Sequence, residues 1–200
     1  KWQSLENAQN TMLAQAQDAY VKCGMSANQY MEQATSFSAA LISSLGGDTE
    51  AAAAQAQKAM VAMSDNVNTF GTDMQDVQNA FQGFAKQNYT MLDNLKLGYG
   101  GTQAEMKRLI SDANEYAASI GEASDLSIDS FSDIITAIDL IQQKQQIAGT
   151  TFREAATTIE GSLNMSKAAW ENWLTGLGDS DADMSQLTEN LVTSVEIAAS

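Results

Sequence analysis

No histidine and no proline occur in this chain of 200 residues, and cysteine occurs once, at Cys23. Each absence removes a class of chemistry. Without imidazole there is no Ser-His-Asp triad, no His-ligated zinc and no imidazole acid–base catalyst. One cysteine excludes an intramolecular disulfide, a CxxC pair and a four-cysteine zinc site, and it has no histidine to activate it. Ordinary usage would supply roughly ten prolines, and their absence leaves long helices free to run uninterrupted. Positive charge is scarce as well, with 10 Lys and Arg against 25 Asp and Glu and a net charge of −15. That balance argues against nucleic-acid binding through phosphate neutralisation and against an anionic membrane surface. The longest stretch without charge, Gln33 to Gly47, holds four serines and falls short of the roughly 18 apolar residues a membrane span needs. A soluble piece is expected. The chain opens on Lys1-Trp2 with no signal-peptide pattern, which reads as a fragment or a processed segment.

What is present is helical periodicity. Leu5, Met12, Leu13, Ala16 and Tyr20 fall on one stripe that closes at Gly24. A second helix begins after Ser26, carries Tyr30, Ala34, Phe37, Leu41 and Leu45 at spacings of three and four, and stops at Gly46-Gly47. Asp48 then caps an alanine-rich helix from Thr49 to about Asn68, whose small face (Ala52, Ala56, Ala59, Met60, Met63) allows close helix approach. Phe131, Ile134, Ile135, Ile138 and Ile141 form a further stripe, and so do Met184, Leu187, Leu191 and Val195. No stretch alternates with period two, so no strand is expected, and no repeat recurs at a fixed period.

Three threonines carry helix-start signatures. Thr72-Asp73-Met74-Gln75, Thr102-Gln103-Ala104-Glu105 and Thr151-Phe152-Arg153-Glu154 all fit the capping box, which predicts Thr72, Thr102 and Thr151 as N-caps. Irregular stretches fall at Asn88 to Gly101, Gly121 to Ser130 and Gly176 to Asp183. The expected fold is all-α, a bundle of roughly seven to nine helices without a sheet. It forms a single segment over residues 1–200, with a sub-boundary, if there is one, near 88–101.

Candidate chemistry is thin. Asp179-Ser180-Asp181-Ala182-Asp183 resembles the first half of an EF-hand loop, but the turn glycine is replaced by Met184 and the bidentate acid by Asn190. A capped, solvated acidic loop is expected there, and no metal site. Gly98-Tyr99-Gly100-Gly101-Thr102 precedes a helix like a phosphate cradle, yet it lacks the GK[ST] ending and no strand feeds it. A structural turn built on Gly98, Gly100 and Gly101 is the expectation. Trp170 and Trp173 share a helical face with Leu174 and Leu177, which predicts packing between helices rather than a sugar platform. The ten methionines suit core gaps. Carboxylates are scattered along polar faces and no pair stands out as an acid–base couple. No cofactor is expected, and an interaction or structural role fits the residues better than catalysis.

Two longer strings go further. Phe81-Gln82-Gly83-Phe84-Ala85-Lys86-Gln87-Asn88-Tyr89, continuing through Leu97-Gly98-Tyr99-Gly100-Gly101-Thr102, resembles the central motif of the tail tape measure proteins of long-tailed bacteriophages and prophages. Ala148-Gly149-Thr150-Thr151, then Glu154-Ala155-Ala156-Thr157-Thr158-Ile159-Glu160-Gly161-Ser162-Leu163, then Trp170-Glu171-Asn172-Trp173-Leu174-Thr175-Gly176-Leu177, resembles that family's downstream signature. Met63-Ser64-Asp65-Asn66 stands upstream in the matching order, and the resemblance covers roughly Gly24 to Asn190. It implies a non-enzymatic virion protein that occupies the lumen of the tail tube, sets tail length during assembly and is released ahead of the DNA. Such a protein is made in the bacterial cytoplasm. Its implied partners are further copies of itself and tail-tube or tail-tip proteins, with no direct nucleic-acid or membrane contact from this segment. The resemblance brings no catalytic residues to this region. Other readings remain: a component of a phage-derived contractile or bacteriocin-like particle, a peptidoglycan-cleaving fragment, or a cellular helical adaptor.

Overall fold

The computed structural model describes residues 2–155 and 157–199. Ala156, one residue of the second resembling string, lies outside them, as do the side chains of Trp2, Ile159 and Glu160. Among the described residues there are nine α-helices and no strand. The helices are α1 (Trp2–Lys22), α2 (Ala27–Ser44), α3 (Thr49–Phe70), α4 (Met74–Phe84), α5 (Gln103–Ser119), α6 (Phe131–Lys144), α7 (Thr150–Ala155), α8 (Ile159–Gly176) and α9 (Met184–Ala199). A short 3-10 turn, Leu92–Leu95, lies between α4 and α5.

The starts and stops follow local chemistry. Ser26 caps α2 with a complete box, its hydroxyl accepting from the Gln29 N–H while the Gln29 side chain accepts from the Ser26 N–H. Asp48 accepts from the N–H groups of Glu50 and Ala51 at the start of α3. Gly71 ends α3 in the left-handed conformation, with φ +61°.

α3 is the hub of the packing. It contacts α1, α2, α4, α6 and α7, and its small face lets these neighbours come close: Ala52, Ala53, Ala56, Ala59 and Ala62 are all buried. The main core runs from Ala16 on α1 to Ile147 beyond α6 and includes Tyr30, Phe37, Leu41, Phe81, Phe84, Met106 and the α6 isoleucines. Segment 88–101 belongs to the same core, where Tyr89, Leu92, Leu95, Leu97 and Tyr99 are all buried. α8 and α9 pair with each other and dock on α1 through a second, smaller cluster of Tyr20, Ala155, Met165, Ala168 and Ala169. No described helix is long and apolar enough to cross a membrane.

Three expected packing residues lie elsewhere. Leu5 and Leu13 on α1 and Val195 on α9 are exposed, because these helices bury narrower faces than their apolar stripes.

Candidate functional site

Asp, Asn and Ser disfavour helix interiors, since their side chains compete for backbone groups. Ser64, Asp65 and Asn66 nevertheless sit in succession inside α3, and all three are buried. Each points at a different loop. The Ser64 hydroxyl donates to the Cys23 carbonyl at 3.1 Å, tying down the α1–α2 turn. The Asp65 carboxylate accepts from the Gly149 N–H at 2.6 Å and the Thr151 N–H at 2.9 Å, which makes it the cap of α7 from a helix 84 to 86 positions earlier in the chain. The Asn66 amide donates to the Leu95 carbonyl at 2.7 Å and its oxygen accepts from the Thr72 hydroxyl at 3.1 Å. One turn of helix thus pins four connections. Gln142 on α6 adds a further tie, donating to the Ala62 carbonyl at 2.9 Å, and Gln145 donates to the Leu97 carbonyl.

Two of the expected caps end at this junction rather than at helix starts of their own. α4 is capped by Asp73, whose carboxylate accepts from the Gln75 N–H at 2.8 Å. A carboxylate beside the positive end of a helix outcompetes the Thr72 hydroxyl, which is spent on Asn66. Thr151 lies inside α7, and the Asp65 carboxylate does the capping that its hydroxyl was expected to do. Thr102 does cap α5, accepting from the Glu105 N–H at 3.2 Å, although Glu105 does not return the bond to Thr102.

Glu105 instead closes the preceding turn. Its carboxylate takes the Gly100 N–H at 3.0 Å and a two-pronged contact from Arg108, with Nη2 to Oε2 at 2.6 Å and Nε to Oε1 at 3.1 Å. Arg108 also donates to the Gly98 carbonyl, and its guanidinium lies 4.3 Å from the centre of the Tyr99 ring. The Tyr99 hydroxyl donates to Asp112 at 2.7 Å. Paired first with the Arg108 guanidinium and then with the Gly100 N–H, the Glu105 carboxyl is lowered to about 2. Burial and the Asp112 carboxylate push the Tyr99 hydroxyl up. An anion of the protein therefore fills the place a phosphate would take. The three glycines play different parts. Gly98 has φ +90°, whereas Gly100 and Gly101 do not adopt positive φ. A Cβ on Gly101 would overlap the Thr90 carbonyl oxygen, so that glycine serves close backbone approach.

Trp170 and Trp173 stack on each other, with ring centres 5.5 Å apart and planes 21° apart. Trp173 also donates to the Thr188 hydroxyl of α9 at 3.1 Å. Trp170 is 49% exposed, and Leu174 and Leu177 are exposed beside it, so this face is not the packing face expected for it. α8 turns its smaller residues inward, with Ala168, Ala169 and Met165 against α1 and α9, because small side chains permit the closer approach. In the acidic loop, Asp179 accepts from the Asp181 N–H and Asp183 caps α9 through the Gln186 N–H. Among the described residues no group of three carboxylates or thiols lies in metal-binding reach.

The junction's principal residues, Asp65 and Asn66, were marked in the sequence only by resemblance. The physical signal was three helix-disfavouring polar residues continuing the buried Met60–Met63 face. Compared with family models, with curated proteins and with solved structures, the chain matches none.

Proposed function

We propose that this chain is a segment of a tail tape measure protein, a structural component that sets tail length in a phage or prophage particle and leaves the tube ahead of the DNA. One observation carries the reading. The two strings that resemble that family, at Leu95 and at Thr151, and the Met63–Asn66 stretch that stands upstream of them lie far apart in the chain and meet in hydrogen-bonding contact at one junction. Motif residues that fasten loops to a central helix suit a protein whose work is mechanical. In this role its partners are further copies of the chain and the tail-tube or tail-tip proteins. The net charge of −15 suits passage alongside DNA rather than binding to it.

The test is made in the particle-producing host. An in-frame deletion of these 200 residues, and separately their tandem duplication, should shift tail length in opposite directions in negatively stained particles. Intact tails of unchanged length in both strains would overturn the assignment.

A further inference from the structure

α8 is apolar on two opposed faces. Met165, Ala168 and Ala169 point inward, against α1 and α9. Leu163, Trp170, Leu174 and Leu177 point outward, each between 47% and 60% exposed. Helix geometry sets these four within about 60° of arc, directly opposite the buried three. Their spacings of seven, four and three are those of a seam between helices. α9 widens the surface. Trp173 reaches from α8 to Thr188 of α9, and Val192 and Val195, about one and two turns farther along α9, are exposed as well. Single exposed apolar residues need no explanation, but a contiguous face two helices wide marks an interaction surface.

We propose that this outer face is where two copies of the chain meet, antiparallel about a two-fold axis through Trp170. Spacing chooses the partner. Leu163 and Leu177 lie seven residues before and after Trp170, so reversing the helix maps these three positions onto one another. In that register Trp170 meets the partner's Trp170, and Leu163 meets the partner's Leu177. Leu174 covers the aliphatic stem of the partner's Lys167. Charge chooses the direction. Lys167 and Glu171 flank the seam on the side away from α9, and among the described residues neither has an ion-pair partner within the chain. An antiparallel two-fold brings like flanks together. The two positions then stand two residues apart along the axis, about 3 Å, so each Lys167 reaches the partner's Glu171. In a parallel pair opposite flanks meet, and Lys167 would face the partner's Ser166 and Trp173 instead. The antiparallel axis also sets α9 against the partner's α9, whereas a parallel one leaves them on opposite sides. The face measures about 20 Å by 20 Å, roughly half a standard interface, which gives a weak pair with a dissociation constant on the order of 100 µM. This contact belongs to the free chain and does not rest on the tail role.

Sedimentation equilibrium of the full chain tests it. The mean mass should be 21.4 kDa at about 10 µM and rise toward twice that at about 1 mM. Leu163→Lys and Leu177→Lys, both at exposed positions, should keep the thermal midpoint and weaken association about tenfold or more. Lys167→Glu and Glu171→Lys should each weaken it about threefold, and the double exchange should restore it. Glu171→Lys makes the chain less negative, so its weakening cannot come from general repulsion. Crosslinking reads the direction. Leu163→Cys mixed with Leu177→Cys should form a disulfide between copies under mild oxidation, and Leu163→Cys alone should not. Cys23 is buried and does not compete. A mass that stays at 21.4 kDa to about 1 mM would leave the face to a different partner and overturn the proposal. So would a dimer indifferent to both lysine variants, a charge exchange without restoration, or Leu163→Cys crosslinking to itself.

Discussion

At Asp65 a single carboxylate holds the start of a helix it does not belong to. The Thr151 N–H in the first turn of α7 and the Gly149 N–H just before that helix have no partner within it, and the carboxylate supplies one inside the protein, with Asp65 only 1% exposed. Removal leaves two buried donors unsatisfied. Asp65→Ala should cost about 2–4 kcal/mol in urea unfolding. Asp65→Asn, which keeps an acceptor but loses the charge, should cost less. Cys23 is the other residue whose setting makes a measurable difference. Burial is the main cause pushing its thiol up to about 12, so it stays protonated at neutral pH. Ellman's reagent should react with it slowly in the native chain and rapidly in urea. Because its folded value stands above the unfolded one, the thiol's contribution to stability is intact below about 9 and declines as pH rises from there toward 12.

Helix boundaries were the most legible elements, and the exceptions share one cause. Ser26, Asp48, Thr102 and the Gly46-Gly47 stop were readable because each acts within a few residues of itself. Thr72 and Thr151 match a local pattern too, but Asp73 takes the Gln75 N–H that Thr72 would have capped, and Asp65 from across the fold holds the Gly149 and Thr151 N–H groups, so that α7 starts at Thr150, before the residue expected to cap it. A pattern scan has no access to a competitor 86 positions away. The exposure of Trp170 was hidden for a similar reason: apolar bulk marks a stripe, whereas the face buried is chosen by how closely two helices can approach. The turn before α5 gives a sharper test. Gly101→Ala should cost about 2 kcal/mol or more through overlap with the Thr90 carbonyl, whereas Gly100→Ala, whose nearest neighbour would be Glu105 Cγ at 3.5 Å, should be nearly neutral. Thermal melts of the two variants separate close approach from conformational freedom. Beyond α6, the exposed Gln146 holds φ +62° where α1, α2, α3 and α5 are followed by glycine, and Gln146→Gly should stabilise by about 0.5–1 kcal/mol. Glu105 adds a pH signature to the same turn. With its carboxyl lowered from 4.5 to about 2, its contribution to stability is present above 4.5 and is lost as pH falls toward 2. Unfolding titrations between pH 5 and 2 should therefore fall more steeply for the wild type than for Glu105→Gln.

For the whole molecule, a ruler in a tube and a folded bundle make opposite demands. One continuous helix of 200 residues would reach about 300 Å at roughly 1.5 Å per residue. The chain instead closes on itself over long separations: Ala27 donates to Asn172 across 145 positions, Gln55 to Ser132 and Thr136 across about 80, and Asp65 holds α7 across 86. None of these bonds survives in an extended chain, and α6, with Phe131 and four isoleucines buried, would have its core face in water. The isolated segment should therefore scatter as a compact particle, with a radius of gyration of about 16–17 Å at monomeric mass. A rod-like small-angle profile with a radius several-fold larger would sink that expectation. Asp65→Ala connects this scale to the first: if the junction holds the bundle closed, the variant should show a larger radius at urea concentrations where the wild type is still compact. An extended state in an assembled tail would need neighbours, either further copies or the tube wall, to cover the stripes that α3 and α6 now cover for each other. Adding urea while following the radius at increasing protein concentration addresses that directly. If copies can replace the intramolecular contacts, opening should be accompanied by a rise in mass, whereas a chain that opens and stays monomeric would show that copies alone do not cover its apolar faces, and under the proposed tail role that cover would fall to the tube wall.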